Sequence, residues 1–449
     1  MIHSLKIFLT TLLILFYSCE NNSKSDLPNI ILIIGDDHGY PYFGFMGADY
    51  VKTPNMDQLA SSGTLFKNGY VPDNHCRPSL ATLVTGMLPI RYNREVEQMI
   101  LDKAIIEENQ KKEYRHNAMK HFLTLPKILK SKNYTSFQGG KWWEFHYGNG
   151  GFDHGMTTGW TEKERKSEGW FRKFMGGDGL ELARATMEPV YNFIDENLNN
   201  PFFIWYAPEL PHYPFDAPDK YYDMYKDEDM TESAKRYYAN CTWFDDGVGE
   251  LITYLKEAGE FENTLFIYVN DNGWEQTPDQ EFWDDPMRSH NGGDKGKISL
   301  FDQSFRTPII FSWDGEIEKN VHLDYLMHSS DIPATILDYL GIEIPKNFYG
   351  KSYKTAIDGD TFSGREEIIG NITTTRSFED MMGKPTEGYW IREEEWFLNW
   401  NITENHIGLF DMKNDQNNDV NLASEKPERV NTMIGKIKEW RDEINGVRR

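Results

Sequence analysis

The sequence predicts an α/β fold: a large, mostly parallel sheet sandwiched by helices, with a smaller α+β subdomain at the C-terminus. Two observations carry this. From about residue 28 to 344, short apolar runs rich in β-branched and aromatic residues alternate with helical patterns. Past residue 345 that alternation stops, and strands of antiparallel texture, a polar loop and one amphipathic helix follow.

The runs expected to be buried parallel strands are "NIILII" (Asn29–Ile34), "YTSF" (Tyr134–Phe137), "PFFIWY" (Pro201–Tyr206), "NTLFIYV" (Asn263–Val269) and "TPIIFSW" (Thr307–Trp313). Helical patterns between them include "TPNMDQLASSG", "LTLPKILKSKN" and Ala234–Gly259. Cys241 falls in the last of these and reads as a small buried apolar side chain. The polar stretch Arg91–His121 reads as an insertion placed to shape a substrate cleft. In the tail, "GYWIREEEWFLNW" reads as antiparallel strands and "GLFDMKNDQNNDVNL" as a loop. "KPERVNTMIGKIKEWRDEI" reads as a helix with Val430, Ile434, Ile437 and Trp440 on one face. The expected divisions are 1–19, 26–344 and 345–449.

Residues 1–19 read as a targeting segment. Lys6 precedes an apolar run, Ile7–Phe16, that is too short for a permanent bilayer span. Ser18-Cys19 resembles a lipoprotein cleavage site, with an ordinary cleaved signal as the alternative. Either way export is expected, to the periplasm, the outer membrane or the medium, with membrane contact only through an N-terminal lipid anchor. Cys76 and Cys241 do not make a disulfide framework. A net charge of −24 argues against nucleic acid as a partner. It says little about small anions, because a few local cations can dominate a cleft.

Ligands of parallel α/β sheets bind beyond the carboxyl ends of the strands. Those ends here read Asp36-Asp37-His38, Asn270-Asp271-Asn272-Gly273, Gly139-Gly140-Lys141-Trp142, and "APELPH" ending in His212. Oxygen donors alone select a hard divalent cation, Ca²⁺ or Mg²⁺, over zinc. Any single aspartate of this set also suits a turn or a helix cap; their recurrence at matching strand ends favours the metal. In "DNHCRPSLATLVTG", Pro78 suits the first helical position, and Ser79–Val84 reads as a helix ending at Gly86. Cys76 then lies at a helix N-terminus, which favours anions and is expected to lower the pKa of a plain thiol. Six positions on stands Thr82, not the arginine of a phosphatase loop.

In this order the segments resemble the formylglycine-dependent sulfatases of the alkaline-phosphatase superfamily, from about Pro28 to the C-terminal helix. The match runs through "NIILIIGDDHGY", "TPNMDQLASSGTLFKNGYV", the cysteine motif, Gly-Lys-Trp, "PFFIWYAPELPHYPF", Asp271–Gly273, "KGKISLFDQSFRTPIIF" and "GLFDMKNDQNNDVNL". The resemblance implies that Cys76 is oxidised by a maturation enzyme to formylglycine, whose hydrate is the nucleophile. It implies that Asp36, Asp37, Asp271 and Asn272 bind Ca²⁺ with the modified Cys76. By the same analogy Lys141 and Lys297 grip the sulfate, His212 protonates the leaving oxygen, and His290 lines the site.

Two positions depart from the family pattern. Leu80 stands where Cys-x-Pro-Ser-Arg has its arginine, and Trp143 where Gly-Lys-Trp-His has its histidine; Arg77 and His146 are the candidates to compensate. The expected substrate is a sulfated oligo- or polysaccharide, which Trp142, Trp143, Trp160 and Trp170 suit as sugar-packing rings. The alternatives are a phosphodiesterase or phosphonate hydrolase of the same fold, and a catalytically silent carbohydrate-binding lipoprotein.

Overall fold

Residues 27–161, 163–198, 200–275, 295–373 and 386–446 are described in a computed structural model of the chain. Strand β1 (Asn29–Gly35) is buried along its whole length. Its alternate side chains serve two layers. Ile30, Leu32 and Ile34 pack with Leu83 and Leu129, while Ile31 and Ile33 pack with Phe244, Val248 and Leu251. Each such side chain contributes roughly 1.5–3 kcal/mol of burial, so β1 anchors both helical layers.

Eight further strands extend the sheet: β2 (Thr64–Tyr70), β3 (Thr135–Gly140), β4 (His154–Gly155), β5 (Phe202–Ala207), β6 (Thr264–Asn270), β7 (Arg306–Ser312), β8 (Val321–Leu323) and β9 (Met327–His328). The order is β4-β3-β5-β1-β6-β7-β2-β8, with β9 also beside β2. The four strands β3, β5, β1 and β6 are adjacent and parallel. Their tips therefore meet at one edge.

The expectation that Thr307–Trp313 is a parallel strand is corrected. β7 runs antiparallel to both β6 and β2. An apolar run does not encode strand direction, because both faces are buried either way. The reversal matters for the site: β7 begins at the rim where β6 ends, with the Asn270 amide donating to Thr307 Oγ1.

A separate antiparallel sheet, β10 (Glu367–Ile372), β11 (Gly388–Glu393), β12 (Trp396–Asn401) and β13 (His406–Asp411), is covered by the helix Pro427–Ile444. β13 takes in Gly408–Asp411, so the start of the expected loop is strand. Met433 joins Val430, Ile437 and Trp440 in the buried face of the helix, and Ile434 is only partly buried. Cys241 is fully buried inside the helix Glu232–Glu257, as expected. The segment 1–19 lies outside the described residues. Among the described residues, no helix is long and apolar enough to cross a membrane.

The small sheet is tied to the cysteine segment: the Asn371 amide donates to the Pro72 carbonyl (2.8 Å), and Thr373 Oγ1 donates to Asp73 Oδ1 (2.9 Å). Asp73 is fully buried, and burial pushes its carboxyl up to about 8, against the hydrogen bonds from Thr373 and the Asn74 and Thr373 amides. A folded-state pKa above the unfolded one favours folding fully below the unfolded value of about 4 and loses that contribution as pH rises through 8. Asp73→Asn, which cannot ionise, is therefore expected to raise Tm at pH 9 more than at pH 6, as thermal melts at the two pH values will report.

Candidate active site

Gly35 pairs in register with Asn270, and β3 pairs with β5 up to Gly140 and Ala207. The residues after these positions consequently converge. The buried Lys141 Nζ donates to Asp36 Oδ1 (2.5 Å), and the buried Lys297 Nζ donates to Asp37 Oδ2 (2.7 Å). Asn272 Nδ2 donates to Asp37 Oδ1 (2.6 Å), and the Asp37 amide donates to Asp271 Oδ1 (3.0 Å). His212 Nε2 lies 3.6 Å from Asp37 Oδ2. Asp37 is thus the hub, and its backbone has φ 60°, a left-handed conformation that Asp tolerates better than most residues. Tyr237 holds it by donating to the Asp37 carbonyl (2.7 Å).

Lys297 reaches this cluster because β7 is reversed. The chain before β7 approaches from the rim; the Lys297 amide donates to the Trp274 carbonyl and the Ile298 amide to the Asn74 carbonyl. Ile298 has φ 57°, an outlier for a β-branched residue, and such strain collects where the surroundings over-determine a position.

Cys76 opens the helix Cys76–Thr85, which ends at Gly86 with φ 65°. A Cβ on Gly86 would also lie 2.4 Å from the Phe348 ring, so glycine is needed there twice over. The thiol is buried within the fields of Lys141, Lys297, Asp271 and Asp37. The expected low pKa is corrected: burial, which outweighs the two lysines, pushes the thiol up to about 11. In metal-stripped, unmodified protein at pH 8, alkylation of Cys76 by iodoacetamide is expected to be at least about tenfold slower than that of a free cysteine, measured by mass spectrometry of the peptide over time.

Burial and the neighbouring carboxylates Asp271 and Asp37 hold the Asp36 carboxyl well above its usual range, despite Lys141. Asp271 is raised by burial and by Asp37. Burial also opposes ionisation of Asp37, but Lys297, His212 and Lys141 outweigh it, and its pKa falls below the carboxylate range. Three buried carboxylates facing two lysines leave an excess of negative charge, which a cation would balance.

Asp36 Oδ2, Asp271 Oδ2 and Asn272 Oδ1 are buried oxygens without a hydrogen-bond partner. Asp36, Asp37 and His212 each place a ligand atom within 4.8 Å of the others, a group that can hold a metal ion. The donor set of buried carboxylates and an amide therefore fits a hard divalent cation, with His212 beside that set.

Neither candidate for compensating Leu80 and Trp143 turns to the cluster. Arg77 pairs with the buried Glu144 (3.0 Å), and His146 Nδ1 accepts from the Gly148 amide. Leu80 and Trp143 are buried apolar neighbours, and the Lys141 ammonium lies 5.6 Å from the Trp143 ring. His290 lies outside the described residues.

Sequence reasoning missed two groups. His75 is half-buried beside Cys76, in the field of Lys297 and Lys141, with no partner for Nδ1. Glu275 is fully buried, accepts from the Tyr213 amide (2.7 Å) and stands 3.6 Å from His212 Nδ1. Adjacency to Cys76 was the available signal for the first; Glu275 carried none, because its partner is 62 residues away.

Known proteins share this architecture. The chain is 24% identical to an arylsulfatase of Clostridium perfringens, covering 90% of this chain and 92% of that one. The structure of Ps i-CgsB in complex with k-i-k-neocarrahexaose matches with a TM-score of 0.68 at 22% identity, over 92% of both chains. A phosphonate monoester hydrolase of Agrobacterium radiobacter matches with a TM-score of 0.67 at 17% identity, over 93% of this chain and 96% of that one. At the C-terminus, residues 293–443 match the family model described as N-sulphoglucosamine sulphohydrolase, C-terminal. The sulfatase family model matches residues 28–342, more than half of the chain and the whole stretch that supplies the clustered side chains. On that match, the chain belongs to the sulfatase family of sulfuric ester hydrolases.

Proposed function

We propose that the chain is an exported hydrolase of sulfate esters on a carbohydrate, acting through Cys76 matured to formylglycine and through a divalent cation, Ca²⁺ or Mg²⁺, held by Asp36, Asp37, Asp271 and Asn272. The observation that carries this reading is the meeting of those groups with Lys141, Lys297 and Cys76 at one edge of the sheet. The cation, when bound, supplies Lewis acidity toward the nucleophilic hydroxyl and the sulfate oxygens.

The protein groups do the rest. Lys141 and Lys297, held in place by Asp36 and Asp37, present two fixed positive charges to the sulfate oxygens. Nδ1 of His212 is engaged by the Tyr213 carbonyl (2.5 Å), so Nε2 is the nitrogen facing Asp37 and the one to exchange a proton with the leaving oxygen. The carbohydrate assignment is supported by the neocarrahexaose bound to the similar Ps i-CgsB, and by the aromatic residues around the Arg91–His121 insertion.

The test is mass spectrometry of the Cys76 peptide after co-expression with a formylglycine-maturation enzyme, with hydrolysis assays on sulfate, phosphate and phosphonate esters. The reading expects an aldehyde at Cys76 and preference for sulfate. Preference for phosphonate would favour the second reading, which the likeness to the phosphonate hydrolase supports. A thiol left intact and no turnover would point to a silent binding protein, the outcome that Leu80 in place of arginine favours.

A further inference from the structure

The helix Glu108–His116, with Asn117 and Lys120 just after it, forms one side of a cavity of about 450 Å³. The other side comes from Phe145, Trp160 and Arg165. Phe145 meets Trp160 edge-on at 4.6 Å, and Trp160 in turn meets Trp170 at 4.9 Å and His116 at 5.5 Å. Phe145 has φ 67°, which is rare for so bulky a residue, and a Cβ on the neighbouring Gly159 would lie 2.8 Å from its ring. Backbone strain of this kind persists where the surroundings over-determine a position, and here it fixes one aromatic ring in this wall.

The wall is also cationic. Lys120 and Arg165 line it, with His116 as a neutral ring, against a single lining carboxylate, Glu113. Burial first, then the charges of Arg77, Arg165, Lys112 and Arg115, lower the His116 pKa to about 4, so its imidazole is neutral. In a chain of net charge −24, a local excess of cations in a concave site focuses anions.

Two contact paths join the cavity to the candidate active site. Arg77, the residue after Cys76, bonds Glu144, which precedes Phe145, and donates to the Arg115 carbonyl (3.4 Å) beside His116. Trp143, under the Lys141 ammonium, packs on Phe174 at 5.1 Å, and Phe174 packs on both Trp160 and His116.

We propose that this cavity is a second carbohydrate subsite, which takes a further anionic sugar unit, sulfated or carboxylated, of the chain whose ester is presented at Cys76. Aromatic rings pack on the sugar face while Lys120 and Arg165 meet its charge and the neutral His116 adds a polar ring. The inference rests on the sulfatase reading and narrows the substrate to an oligosaccharide bearing at least two anionic groups.

The test uses the full-length matured enzyme with 4-nitrophenyl sulfate and with a pool of sulfated tetrasaccharides prepared from carrageenan, ulvan and chondroitin sulfate. Trp160→Ala and the more exposed Lys120→Ala should each lower kcat/KM on the pool at least tenfold more than on 4-nitrophenyl sulfate, chiefly through KM. Equal losses on both substrates, or no loss on the pool, would overturn the subsite. Binding of the pool to the Cys76→Ser protein, read by calorimetry, separates the two readings. If the wild type turns over nothing but binding still depends on Trp160 and Lys120, the sulfatase reading fails while the subsite stands. If binding does not depend on them, the subsite fails.

Discussion

Replacing Asp271 by alanine is expected to lower sulfate-ester turnover by at least about 10³-fold, with the fold retained. Asp271 is buried, with Oδ1 accepting the Asp37 amide and Oδ2 lacking a hydrogen-bond partner. Its structural contribution is then close to one backbone hydrogen bond, about 1–3 kcal/mol if the amide is left unsatisfied. Its proposed contribution to activity is larger, because it would supply one of the oxygens that hold the cation and part of the charge balancing it. Lys141 and Lys297 pair with Asp36 and Asp37, not directly with Asp271, so no buried lysine loses its partner. Steady-state kinetics, circular dichroism and metal content measured on one preparation will separate these effects. Full activity in the variant would remove the cation assignment. Chelation of the wild type should give the same loss, reversed by Ca²⁺ or Mg²⁺.

Gly140→Ala is expected to cost about 2–5 kcal/mol of stability and to depress activity as well. Gly140 ends β3 with φ 89°, a conformation that costs an L-residue roughly 1–2 kcal/mol. A Cβ there would also lie 1.9 Å from the Ala207 carbonyl oxygen, which accepts the Lys141 amide at 2.6 Å. Relieving that clash requires β3 and β5 to separate, at a further 1–3 kcal/mol or so. The next residue is Lys141, so the shift moves its ammonium away from Asp36. Denaturant titration and kcat measured side by side will check this; a midpoint unchanged from wild type would show that the β3–β5 contact is not as rigid as its geometry implies.

The strand tips were legible because the relevant patterns are local. In "NIILII" and "NTLFIYV" the apolar run breaks at the first polar residue, and that break marks both the end of the strand and the start of the site. The end of the helix that opens at Cys76 was legible for the same reason, at Gly86, while its start lies two residues before Pro78. Strand β2, with Lys67 and Asn68 inside it, has no such run, and the direction of β7 leaves no trace in its composition. Glu144 reads as one more polar residue until Arg77, 67 positions earlier, is found on it.

By itself the sequence determined which oxygens, which one lysine (Lys141) and which histidine follow the ends of strands, because side-chain chemistry and strand boundaries are properties of neighbouring residues. The tertiary structure alone decided that Lys297 meets Asp37, that the Cys76 thiol is held protonated, and that rings and cations from Tyr114 to Arg165 enclose a cavity. Each of these depends on strand direction or on exclusion of water by distant segments. Both are set by packing among elements far apart in the chain.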